Sequence, residues 1–214
     1  LFIAMALYEG ASVRRMLQSG PLPLERAIDI ALQTARGLEK AHGQGIIHRD
    51  VNPANLMLTR DGIVKLLDFG LAKLSGSTQI TQPQSMLGTP AYMAPEQVMA
   101  EDVDHRADLW ALGAVMYEMV IGKAPFPGAN FREVVLDILQ REPDSPPGWD
   151  SELQTRYLSI VRKALSKQVG RRYQKASALV TDLEMLKRAV TSGELPPPTQ
   201  ERPTHEQPTA VLPP

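Results

Sequence analysis

The 214-residue sequence contains no cysteine. Disulfides and thiolate metal sites are thereby excluded, and the composition suits a reducing compartment, the cytoplasm. Charge of one sign is also lacking: 23 Lys and Arg stand against 24 Asp and Glu, so no strong field draws the chain to nucleic acid or to an anionic membrane. No apolar run is long enough to span a bilayer. The longest, Leu109 to Ile121, is interrupted by Glu118 and reads as a buried core helix. The apolar opening, Leu1 to Leu7, lacks an initiating Met, a basic flank and a small-residue cleavage site, so it is not a signal peptide and reads as a strand cut from a longer sheet. Large apolar residues are nearly absent after Leu195, where seven of the 18 prolines fall, and such a segment cannot bury enough surface to fold alone. Residues 1–190 are therefore expected to form one folded domain and 191–214 a Pro-rich disordered linker or tail.

What is present is mainly helical patterning. Glu9-Gly10-Ala11 breaks the opening strand, and Ser12 can cap a short helix through Leu17. Leu24, Ala27, Ile28, Ala31, Leu32, Ala35, Leu38 and His42 recur at three- and four-residue steps, as on a core-facing helix, which Gly43 and Gly45 end. Two short apolar runs, Leu56–Leu58 and Ile63–Leu67, flank Asp61-Gly62, a hairpin turn. Ser75 to Ser85 has no apolar period. Helical patterns follow near Arg106–Val120, Phe131–Gln140, Ser151–Leu165 and Ala176–Val190. The expected class is α+β, mainly α-helical, with one small β-hairpin.

That hairpin has polar clusters at both ends: His48-Arg49-Asp50-Val51-Asn52-Pro53-Ala54-Asn55 before it and Asp68-Phe69-Gly70 after it. A tight hairpin brings its ends together, so Asp50, Asn55 and Asp68 are expected to converge. Two carboxylates and an amide oxygen are the hard ligands that Mg²⁺ and a phosphate-bearing substrate require. Alone, an Asp-Phe-Gly is a turn and an Asp-Asn pair a capped loop. Together, HRDxxxxN, then DFG, then Ala94-Pro95-Glu96 make the ordered signature of protein kinases, and the sequence from Leu1 to about Arg188 resembles the carboxy-terminal lobe of that family.

The resemblance implies roles residue by residue. Asp50 is similar to the catalytic base, and Asn55 and Asp68 to the Mg²⁺ ligands that bridge the ATP phosphates. His48 and Phe69 resemble packing members of the stack beneath the metal loop. Asp108 resembles the buried aspartate that hydrogen-bonds the catalytic-loop backbone, with a plain helix N-terminal carboxylate as its alternative. Glu96 and Arg172 resemble a buried structural ion pair. Met5 to Tyr8 matches the strand-to-hinge segment, whose backbone at residues such as Ala6 and Tyr8 would meet the adenine edge, with Met57 under the ring; a simple core strand is the alternative. Between Asp68 and Glu96, Ser85 stands four residues before Thr89, the family's spacing for an activating phosphate. Thr81 is a second candidate, and Arg49 and Lys73 would form the cationic pocket. Gly88-Thr89-Pro90-Ala91-Tyr92 resembles the platform for Ser and Thr acceptors.

Two departures stand against these matches. The place two residues after Asp50, a lysine in the family, is Asn52, which can donate a hydrogen bond but brings no charge to the transferring group; by analogy with a lost preorganised donor the deficit is about 3–4 kcal/mol. Nothing before Leu1 supplies the Gly-rich loop, the strand lysine or its helix glutamate, so a chain without its N-terminal lobe, keeping only a remnant hinge strand, is expected. The implied function is a serine/threonine protein kinase of the bacterial eukaryotic-like (Hanks) type. It would use ATP and Mg²⁺ on protein substrates, either as it stands or as the cytoplasmic part of a longer membrane-anchored kinase. A pseudokinase or regulatory scaffold is the first alternative. A small-molecule phosphotransferase is the second, disfavoured because it has no need of Gly88 to Glu96 or Arg172. The uncovered cleft surface, Leu1–Leu7 and Met57, would promote self-association of the isolated chain.

Overall fold

A 19-residue helix, α2 (Leu24–His42), buries Ala27, Ile28, Ile30, Ala31, Leu32, Ala35 and Leu38 along one face, as the three- and four-residue spacing dictates. In the computed structural model, which describes residues 8–69 and 90–192, this helix is the scaffold's first wall. The expectations placed on Leu1–Leu7 (including Met5 and Ala6), on Lys73, Thr81, Ser85 and Thr89, and on residues from 193 onward lie outside the described residues.

Before α2 come strand β1 (Gly10–Ser12) and helix α1 (Val13–Leu17), capped by the Ser12 hydroxyl accepting from the Arg15 amide at 3.3 Å. After it come strands β2 (Leu56–Thr59) and β3 (Val64–Leu66), then α3 (Pro95–Val98), α4 (Arg106–Ile121), α5 (Phe131–Gln140), α6 (Glu152–Ala164) and α7 (Ala176–Ser192). The fold is α+β and mainly helical. Helix α7 runs two residues past Val190, so Thr191 and Ser192 belong to it and not to the tail.

The sheet corrects one expectation. Glu9 to Ala11 is not a simple break: Gly10–Ser12 pairs antiparallel with β2, Gly10 opposite Thr59 and Ser12 opposite Met57, so the hairpin becomes a three-stranded sheet in the order β1-β2-β3. The glycine that looked like punctuation is what permits the pairing. A Cβ on Gly10 would lie 2.1 Å from the Leu58 carbonyl oxygen, a separation only glycine avoids. The β2–β3 turn is the Asp-Gly turn expected, with Gly62 at φ 80°.

Helix α4 is the core. Ala107 to Tyr117 is buried without interruption, because α2 packs on one side and α6 on another while α7 closes over α2. Among the described residues no helix is long and apolar enough to cross a membrane. Trp110 of α4 stacks on Phe126 with ring centroids 5.7 Å apart, and the loop after α6 lays Lys167 over both rings, 3.9 Å from Phe126 and 5.0 Å from Trp110. The Lys167 ammonium also donates to the Ile138 carbonyl at 2.6 Å, which caps the last turn of α5.

Burial holds the Lys167 amine down, to about 8 from the usual 10.5, against the weaker pull of Glu142 and Asp137. A basic group lowered on folding binds fewer protons in the folded than in the unfolded state between those two values, so its contribution to stability rises with pH across that window. Urea denaturation of the wild type and Lys167→Met at pH 7.5 and pH 10 tests this: the wild type gains stability relative to the variant at the higher pH.

Candidate active site

The site is built on the loop between α2 and β2, and one carboxylate fixes its entry. Asp108, in the first turn of α4, has a side chain only 1% exposed. It accepts from the backbone amides of His48 at 2.8 Å and Arg49 at 2.7 Å, and from His42 Nε2 at 2.8 Å. A buried carboxylate is tolerable only when satisfied in this way. Arg49 is thereby held at φ 69°, in the left-handed region that costs a non-glycine residue free energy. Its carbonyl accepts from Gln97 Nε2 at 3.2 Å, which links the loop to α3.

His48 ties the loop to the far strand. Its Nε2 donates to the Leu67 carbonyl at 2.8 Å, and its Nδ1 accepts from the Asp50 amide at 3.2 Å. That pairing requires the neutral imidazole with the proton on Nε2. The ring is buried, and Phe69 lies 4.6 Å from it, centroid to centroid, with 40% of its own surface exposed.

Asp50 is gripped by both loop asparagines. Asn55 Nδ2 donates to Asp50 Oδ2 and to the Asp50 carbonyl, each at 2.9 Å. Asn52 Nδ2 donates to Asp50 Oδ1 at 3.0 Å and to the same carbonyl at 3.1 Å. With both hydrogens of the Asn55 amide turned to Asp50, its oxygen is the end left for another ligand. The Leu67 amide donates to the Asn55 carbonyl at 2.8 Å, so Asp68 emerges one residue beyond a double tie to the loop, exposed and at φ 59°. An amide oxygen and an exposed carboxylate are the hard donors that suit Mg²⁺.

Other candidates take structural places. Arg172 and Glu96 form a bidentate pair, both bonds 2.7 Å, with side chains 0% and 5% exposed. Arg172 also donates to the Ser166 carbonyl and lies 4.9 Å from the Trp110 ring. Met57 is half-buried on β2, and Tyr8 is exposed with the Lys65 ammonium 5.4 Å from its ring.

Two contributors, His42 and Gln97, have no role assigned from the sequence, and Tyr92 stands there only as part of the acceptor platform. His42 was counted as an apolar-face position, yet its imidazole is a partner of Asp108; its place on the inward face, in a residue type that seldom sits there unbonded, was the available signal. Gln97 closes on the loop and gave none. Tyr92 donates to Glu118 at 2.5 Å, which anchors the segment after residue 89 to α4; burial, helped by that carboxylate, pushes the Tyr92 hydroxyl upward and keeps it a donor. Glu118, interrupting an otherwise apolar run, was the visible half of that pair.

The arrangement gathers an anchored carboxylate, an amide oxygen and an exposed carboxylate around one loop. The protein kinase domain family matches residues 1–183, and the chain belongs to it. Its helical body with a small sheet is the architecture of the kinase carboxy-terminal lobe. The chain is 38% identical over 188 residues to a protein of Clostridium perfringens named probable serine/threonine-protein kinase CPE1738, covering 87% of this chain and 27% of that protein. It is 36% identical over 184 residues to the serine/threonine-protein kinase PknB of Mycobacterium leprae, with coverage of 85% and 30%. With PknB of Mycobacterium tuberculosis the identity is 34% over 214 residues, with coverage of 99% and 33%. The chain thus spans a third or less of the length of these relatives.

Two losses follow from the buried charges. Arg172→Ala strands the Glu96 carboxylate and lowers unfolding free energy by about 3–5 kcal/mol, while adding Glu96→Gln to it recovers part of that loss. Asp108→Ala leaves the His48 and Arg49 amides without acceptors and costs about 2–4 kcal/mol. Denaturant titration measures both.

Proposed function

We propose that this chain is the substrate- and metal-binding lobe of a serine/threonine protein kinase that moves the γ-phosphoryl group of ATP to a protein hydroxyl. The observation that carries the reading is Asp50, held on both carboxylate oxygens in a loop that Asp108 anchors from below and β3 approaches from the side. Held so, Asp50 presents a fixed acceptor for the proton of an incoming hydroxyl as that oxygen attacks phosphorus. Asn55, through its free amide oxygen, and Asp68, through its exposed carboxylate, would hold Mg²⁺. The cation, when bound, neutralises charge on the phosphate oxygens. Positioning supplies most of the rest, since phosphoryl transfer asks for little covalent chemistry from the protein.

His48 and Phe69 then support the turn that presents Asp68. Tyr92, tied to α4, seats the segment on which a substrate would rest; with Thr89 and Pro90 in the sequence there, the acceptors are Ser and Thr. Tyr8 and Met57 would border the adenine, and Arg49 and Lys73 would receive a phosphate at Ser85 or Thr81. A lobe that consumes ATP works in the cytoplasm, alone or as part of a longer protein.

The test is phosphotransfer by the full-length protein to a protein substrate, with phosphoamino-acid analysis. Phosphoserine and phosphothreonine are expected. Asp50→Ala lowers kcat by about 10²–10⁴-fold, and Asp68→Ala removes activity that added Mg²⁺ does not restore. A wild type that binds ATP and transfers nothing is instead a pseudokinase scaffold.

A further inference from the structure

Asn52 occupies the place where the resemblance leads one to expect a lysine, and its side chain is fully committed inside the loop. Both hydrogens of Nδ2 are given to Asp50, one to Oδ1 at 3.0 Å and one to the carbonyl at 3.1 Å. Its Oδ1 accepts from the Ala54 amide at 2.9 Å. The residue is 8% exposed. No side-chain N–H remains to offer a phosphate. Asn55 mirrors the arrangement from the other side, with Nδ2 on Asp50 Oδ2 and on the same carbonyl. Rotating the Asp50 carboxylate would break a bond on each oxygen at once, and such charge-assisted bonds are the stronger kind.

A lysine could not reproduce this, because an ammonium has donors and no acceptor for the Ala54 amide. The asparagine is therefore no weakened lysine. We propose that Asn52 is a positioning residue for phosphoryl transfer, one half of a two-amide clamp that sets the orientation of the Asp50 carboxylate, and that it does not touch the transferring group. This rests on the kinase reading above.

Steady-state kinetics of the full-length protein separate the possibilities, using wild type, Asn52→Ala, Asn52→Asp, Asp50→Ala and the double variant Asp50→Ala with Asn52→Ala. Asn52→Asp keeps the oxygen that the Ala54 amide needs but sets a second carboxylate beside Asp50, whereas Asn52→Ala removes the donor without adding charge, so a loss shared by the two belongs to the missing donor. Both Asn52 variants are expected to lose about 10- to 100-fold in kcat, with KM for ATP and for the protein substrate within about twofold of wild type. In the Asp50→Ala background, removing Asn52 costs nothing further. A wild-type kcat in Asn52→Asp overturns the proposal and leaves Asn52 a turn cap. A loss carried by KM for ATP and persisting without Asp50 overturns it too, and makes Asn52 a nucleotide ligand. Failure of the underlying reading looks different: a wild type that transfers no phosphate, or whose transfer survives Asp68→Ala, removes the kinase and the clamp together.

Discussion

Asp108 is a charge placed where α4 buries nearly everything else apolar, and the loop between α2 and β2 exists in its observed form because that charge must be satisfied. Water cannot reach it, so two loop amides and an imidazole do what solvent would have done. The same bonds hold Arg49 in a backbone conformation it would not choose, and the chain leaves that residue already turned toward Asp50. A local cost in backbone strain is thus met by an electrostatic demand of the core. Remove the carboxylate and the loop has no reason to keep its path.

From there the ties spread outward without a gap. His48 reaches Leu67, Leu67 reaches Asn55, and Asn55 returns to Asp50. Gln97 joins the loop to α3, whose Glu96 is locked by Arg172 to the loop after α6. The site is therefore assembled from segments spread through the chain, yet each is fixed by a bond that burial makes costly to break.

Much of this was legible in the sequence. The long amphipathic period of α2 and the apolar run of α4 identified the helices, and Asp61-Gly62 identified the turn. The ordered clusters around Asp50 and Asp68 pointed to the loop. What could not be read has a physical reason in each case. Gly10 looks like a strand breaker because glycine is one in isolation; only the nearness of Leu58 makes its missing side chain a requirement. His42 carries the spacing of an apolar face, and spacing does not say that an aspartate waits opposite. Asn52 shows in the sequence only that a lysine's charge is missing, because a side chain's type says what it can donate and not to whom, and the recipient here is Asp50.

Trp110 and Trp149 are the chain's two tryptophans. Trp110 is wholly enclosed, stacked on Phe126 and faced by the cations of Lys167 and Arg172. An indole's emission depends on the polarity and charge around its ring, so this one residue serves as an intrinsic optical gauge of whether the helices that meet there are still joined.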